Sequence, residues 1–141
     1  MDLDIQELER RKRYLKRYKK NVALIERLEN KLLNLDDRIY NLKSPTFSDM
    51  PKGGGSSATM AELLTDKIEL EKRINKLVEK GRILKLEILD KIDELDNPLL
   101  AEILESFFIE CKTIPDIAED LGYSERHIAR LYSEGIIKLD M

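Results

Sequence analysis

Five polar side chains cluster in the stretch 113–131, TIPDIAEDLGYSERHIARL: Ser124, Glu125, Arg126, His127 and Arg130. Their types suit recognition better than covalent chemistry. A guanidinium presents a fork of donors that matches the acceptor edge of guanine or a phosphate, and Arg126 and Arg130 are spaced to share one helix face. Glu125 either accepts from a cytosine amino group or favours a helix N-terminus electrostatically, and Ser124 is a helix-capping residue. His127 is the only histidine and Cys111 the only thiol of the chain. A Ser–His–acid set, a Cys–His pair and a Cys/His zinc site are therefore not expected, and neither are enzyme activity, a metal or a cofactor.

The elements that must position these groups read as a helix-turn-helix starting at Ile114. Ile114, Ile117, Leu121, Ile128 and Leu131 form its apolar set, and Ala118 falls where two crossing helices come closest. Gly122 sits where the turn wants positive φ. Thr113 and Ser124 are the expected N-caps, and Pro115 is tolerated in a first turn, where its N–H would have no partner. With Ile128 and Leu131 inward, the five polar residues face out, and the small Ala129 between them permits close approach. The same pattern also fits a two-helix corner in an ordinary α-helical domain. Upstream, Asn97 and Pro98 start a strongly apolar helix through Leu99, Leu100, Ile103, Leu104, Phe107 and Phe108, the platform that two short helices need; Ile136, Ile137 and Leu139 are expected to close the module.

Two long helices precede it. Over 2–42 nothing breaks a helix: Leu8, Leu15 and Val22 recur every seven residues, and Ile25, Leu28, Leu32, Leu35, Ile39 and Leu42 form a second seam in a different frame. Such a helix, about 60 Å long, needs a partner. Residues 10–20 hold a block of Arg and Lys without an acid, with Tyr14 and Tyr18 one turn apart. It reads as a solvated face whose repulsion calls for nearby counter-charge, or as a patch touching a nucleic-acid backbone or an acidic partner, with Arg11, Arg13, Arg17 and Lys20 as candidate backbone contacts. The loop 43–58 contains Ser44-Pro45, Met50-Pro51 and a Gly triplet followed by two Ser, and Phe47 and Met50 are placed to tack it down. No Lys-Ser/Thr pair follows the glycines, so they do not read as a phosphate cradle. Thr59, with Glu62 three residues on, caps a second long helix to about Leu95. Met60, Leu63, Leu70, Ile74, Leu77, Leu84, Ile88 and Leu95 keep its seven-residue frame, interrupted at Lys67, Gly81 and Lys91. The expected fold is all-α: a coiled-coil hairpin over 1–95, then a helix-turn-helix module over 96–141. Leu24, Leu33, Leu64, Ile68 and Leu89 are left over from the hairpin seam and point to a homodimer.

Charged residues make up 38% of the 141 and aromatics 6%, a composition of long solvated helices more than of one thick core. A single cysteine and no apolar run of membrane-spanning length point to a soluble chain of a reducing cytoplasm, with no membrane partner. Net charge is uneven: +4 over 1–20, −1 over 21–95 and −6 over 96–141. For a DNA reader an acidic module is awkward, because phosphate neutralisation supplies most non-specific affinity.

The IPDIAEDLGYSERHIARLY core within 100–139 resembles the C-terminal DNA-binding region of sigma-70-type factors. Over nearly its full length, including SPTFSDMPKGG and GYSERHIARL, the chain resembles a family of small proteins of Gram-positive phages and prophages, related in layout to ArpU- and RinA-type late transcription regulators. It departs from sigma-like relatives in having Ser106-Phe107-Phe108-Ile109-Glu110-Cys111-Lys112 where they usually carry a basic, Gly-containing approach. The resemblance implies a sequence-specific regulator of phage late genes that binds double-stranded DNA as a coiled-coil dimer. Two other readings stay open: an adapter docking on RNA polymerase or another protein, and a small terminase subunit.

Overall fold

The computed structural model describes residues 4–43 and 59–141; of the loop expected over 43–58, Lys43 belongs to a helix and the rest, with Phe47 and Met50, lies outside the described residues. The described residues form six helices and no strand: α1 Ile5–Leu15, α2 Arg17–Lys43, α3 Met60–Asp93, α4 Pro98–Phe108, α5 Ile114–Leu121 and α6 Glu125–Lys138. The protein is all-α. The expected unbroken first helix is interrupted at Lys16, but only locally, since Lys16 N–H still donates to the Lys12 carbonyl (2.9 Å) and Lys20 N–H to that of Lys16 (3.0 Å).

Two compact units result. One unit joins the described residues up to Val22 with Lys80–Met141; the other is formed by described residues within 23–79. The reason lies in the core. Leu15 of α1 and Ile88 and Ile92 of α3 are fully buried with Ile103, Leu104 and Phe108 of α4, Ile117 and Ala118 of α5, and Ile128, Tyr132 and Ile136 of α6. The short C-terminal helices cannot bury this much apolar surface among themselves, and the ends of the long helices complete their core. Of the three residues expected to close it, Ile136 and Leu139 are buried and Ile137 is exposed.

In the other unit Leu35, Ile39 and Leu63 are buried together, flanked by Met60 and Leu70, with Leu28 and Ile74 also buried. Thr59 and Glu62 make the reciprocal cap that starts α3, at 3.2 and 3.3 Å. Lys67, out of place in an apolar frame, puts its ammonium 2.9 Å from Asp36. Leu24, Leu33, Leu64 and Ile68 are exposed, whereas Leu89 is partly covered. No helix among the described residues is long and apolar enough to cross a membrane.

Candidate functional site

α5 and α6 are joined by a turn of three residues whose backbone each residue type explains. Thr113 Oγ1 accepts from Asp116 N–H and Asp116 Oδ2 from Thr113 N–H, both at 3.2 Å, so two of the orphan donors at the start of α5 are satisfied. α5 ends at Gly122 in the left-handed region (φ 74°), where a side chain would be strained, and the next N–H, of Tyr123, returns to the Ala118 carbonyl at 3.0 Å. Ser124 is extended, and its hydroxyl accepts from His127 N–H at 3.1 Å to start α6. Glu125 in the first turn of α6 complements the positive end of the helix dipole.

α6 is divided lengthwise. Ile128, Tyr132 and Ile136 are locked into the core, while Ser124, Glu125, Arg126, Ala129 and Arg130 are exposed and His127 is half-buried. Ser124, Arg126, His127 and Arg130 line one open depression. The Tyr123 ring lies 4.9 Å from that of His127, and Arg130 Nη2 lies 2.9 Å from His127 Nδ1. All five expected residues of this face are thus brought to one end of one helix. In the approach from α4, the Lys112 ammonium is 2.9 Å from Asp120 and 3.3 Å from Glu110, and the hydrogen bonds it donates to these two carboxylates push its pKa up.

The N-terminal basic block is sorted by the fold into committed and exposed members. Arg11 is buried, and its Nη1 donates to the carbonyls of Ile136 (3.0 Å), Ile137 (2.9 Å) and Leu139 (2.9 Å) at the end of α6. A cation in that place satisfies orphan carbonyls and the negative end of the helix dipole, so Arg11 is not placed to reach a nucleic-acid backbone. Arg17 is drawn inward as well: its guanidinium sits 4.1 Å from the Tyr14 ring, its Nε donates to the Tyr14 carbonyl (3.0 Å), and Nη2 is 3.1 Å from Glu87 as an ion pair rather than an aligned hydrogen bond. Lys19 lies 3.7 Å over the Phe107 ring, where burial lowers its pKa, and Lys12 lies 5.8 Å from the Tyr132 ring centre. Arg13 and Lys20 are exposed.

The counter-charge that such a block demands is supplied from several directions. Glu7 binds Arg10 (2.9 Å) and Arg11 (3.1 Å), which together hold its carboxyl down at about 2. Glu87 accepts from the Tyr14 hydroxyl at 2.7 Å, and this bond, with Arg17 beside it, lowers the Glu87 pKa. Tyr132, which the apolar spacing does not single out, is pushed up to about 12 by burial and by Glu9. Its ring stacks 5.6 Å from Phe108 and meets Phe107 edge-on at 4.7 Å. No family model, curated protein or solved structure matches the chain.

Proposed function

We propose that the chain is a sequence-specific, double-stranded-DNA-binding transcription regulator, reading DNA with the exposed face of α6 and dimerising through α2 and α3. The carrying observation is the division of α6: one face anchored by Ile128, Tyr132 and Ile136, and the other presenting Arg126, His127 and Arg130 beside the small Ala129. A helix held by its back and bearing donors at its N-terminal end suits a major groove, whose base edges carry distinct donor and acceptor patterns. The acidity of 96–141 is partly offset because the +4 segment belongs to the same compact unit, with Arg13 and Lys20 exposed on it for phosphates. The regulatory role and its assignment to phage late genes rest on the family resemblance.

The test is binding of the full chain to duplexes enriched from a random library, checked by genomic footprinting. Arg126→Ala and Arg130→Ala should each weaken specific binding by about 1–3 kcal/mol with helical circular dichroism and melting unchanged. Ile128→Ala should damage folding and binding together through the cavity it leaves. Should both Arg variants keep full affinity, α6 is a scaffold. The adapter reading would then lead, supported by the exposed acids Glu110, Asp116, Glu119 and Asp120 around α5.

A further inference from the structure

The flanks of α2 and α3 within 23–79 differ in kind. Asp36 of α2 and Lys67 of α3 are joined at 2.9 Å, and this ion pair marks one flank. Leu33 and Tyr40 lie three and four residues from Asp36, and Leu64 lies three from Lys67 and four from Ile68. At those spacings the four apolar side chains share the flank of the ion pair. They are 62%, 69%, 39% and 53% exposed in the order Leu33, Tyr40, Leu64, Ile68. The other flank is polar, with Lys31, Asn34, Arg38, Asp66, Glu69 and Arg73 around an open depression. Uncovered apolar surface is thus concentrated around Asp36 and Lys67, which puts a charged pair in the middle of the face to be covered.

Two copies can stack such flanks about a two-fold axis in two ways. With the axis across the helices, α2 faces α2 and α3 faces α3, so Asp36 meets Asp36 and Lys67 meets Lys67. With the axis along the helices, α2 of each copy faces α3 of the other, and the charges around the axis alternate Asp, Lys, Asp, Lys. Like charges brought together out of water are strongly disfavoured, and alternating ones attract. The antiparallel run of α2 and α3, with Ile39 near the end of one in the same buried cluster as Leu63 near the start of the other, sets Tyr40 level with Leu64. It sets Leu33 level with the turn that carries Ile68. We infer that the occupant of this flank is a second copy of the chain with the two-fold axis along the helices. Tyr40 then meets the partner's Leu64, and Leu33 the partner's Ile68, around a ring of two Asp36–Lys67 pairs. The inference deepens, and rests on, the dimerisation through α2 and α3 proposed above. A covered ionic ring sets orientation and register more than it adds affinity.

The experiment uses full chains that carry Cys111→Ser, which removes the exposed native thiol. Tyr40→Cys and Leu64→Cys chains are mixed at micromolar concentration, left to exchange and gently oxidised. The mixture should yield a disulfide-linked dimer at about tenfold or more the level of either chain alone, because the dimer holds the two thiols at high effective concentration. Peptide mapping should place the bond between positions 40 and 64. A mixture of Leu33→Cys and Tyr40→Cys, which the crosswise axis would bring together, should link no better than its components. Asp36→Lys puts four ammonium groups around the axis and should weaken the dimer by about tenfold or more in sedimentation equilibrium. Adding Lys67→Asp should restore it, with helical circular dichroism unchanged throughout. A bond between positions 33 and 40, a wild-type dimer whose position-40 and position-64 thiols fail to link, or a dimer indifferent to Asp36→Lys overturns the arrangement while leaving dimerisation standing. A wild-type chain that sediments as a monomer overturns both.

Discussion

Truncating Arg11 would leave the carbonyls of Ile136, Ile137 and Leu139 without the donor that reaches all three. Buried acceptors that lose a charged donor keep their full desolvation cost, and the end of α6 also loses a favourable charge. Arg11→Met, which retains most of the apolar stem, should therefore destabilise the chain by about 2–3 kcal/mol in urea denaturation. Arg13, two residues on and exposed, is the contrast. Arg13→Gln should change stability by less than about 0.5 kcal/mol but weaken DNA binding and flatten its salt dependence. Equal stability of the two variants would remove the capping role of Arg11. A sequence shows both as members of one basic run; only the packing of α1 against α6 separates the one that caps from the one that meets solvent.

At the scale of elements, the interruptions of the α3 frame each have a physical partner. Lys67 reaches Asp36, and Lys91 Nζ donates to the Asp140 carbonyl at 3.0 Å. Gly81 is buried at a close crossing, where a Cβ would collide with the amide of Asn21, itself buried. Ala is favoured over Gly by about 1 kcal/mol inside a helix, but overpacking a crossing costs about 1–3 kcal/mol. Gly81→Ala should thus be destabilising or at best neutral by thermal melting, although propensity alone predicts a gain. Combining it with Asn21→Ala should recover stability beyond the sum of the single changes, a coupling that a double-mutant cycle reads. Additive changes would mean that no close crossing exists there. Caps were the legible part of these elements: Thr59, Asn97, Thr113 and Ser124 each accept from the N–H of a first-turn residue, as their types predict. The crossing was legible only as an anomaly, because Gly81 marks its place in the sequence without naming Asn21 as the group it admits.

For the whole molecule, local pattern was informative about helices and much less so about which helices share a core. The five apolar positions of 114–131 all contribute to one cluster, as their spacing implies, yet that cluster also takes in Leu15, Ile88 and Ile92, contacts between residues far apart in sequence that periodicity does not encode. The same consideration bears on the second unit. Among the described residues within 23–79, Leu24, Leu33, Tyr40, Leu64, Ile68 and Val78 are exposed, against a buried cluster of Leu35, Ile39 and Leu63 with few additions. Long helices with this much uncovered apolar surface are poorly stabilised alone, and a second copy of the chain would cover it. Sedimentation equilibrium at micromolar concentration should therefore give a dimer. Leu33→Glu combined with Ile68→Glu should shift it to monomer, because burying two carboxylates in an apolar contact is far costlier than leaving them in water. The compact unit holding α4, α5 and α6 should keep its helicity in that variant, since neither residue belongs to its core. Specific DNA binding should nevertheless weaken, as two linked reading heads become two separate ones. A wild-type chain that sediments as a clean monomer would refute dimerisation through these helices and leave the exposed leucines and isoleucines to some other partner.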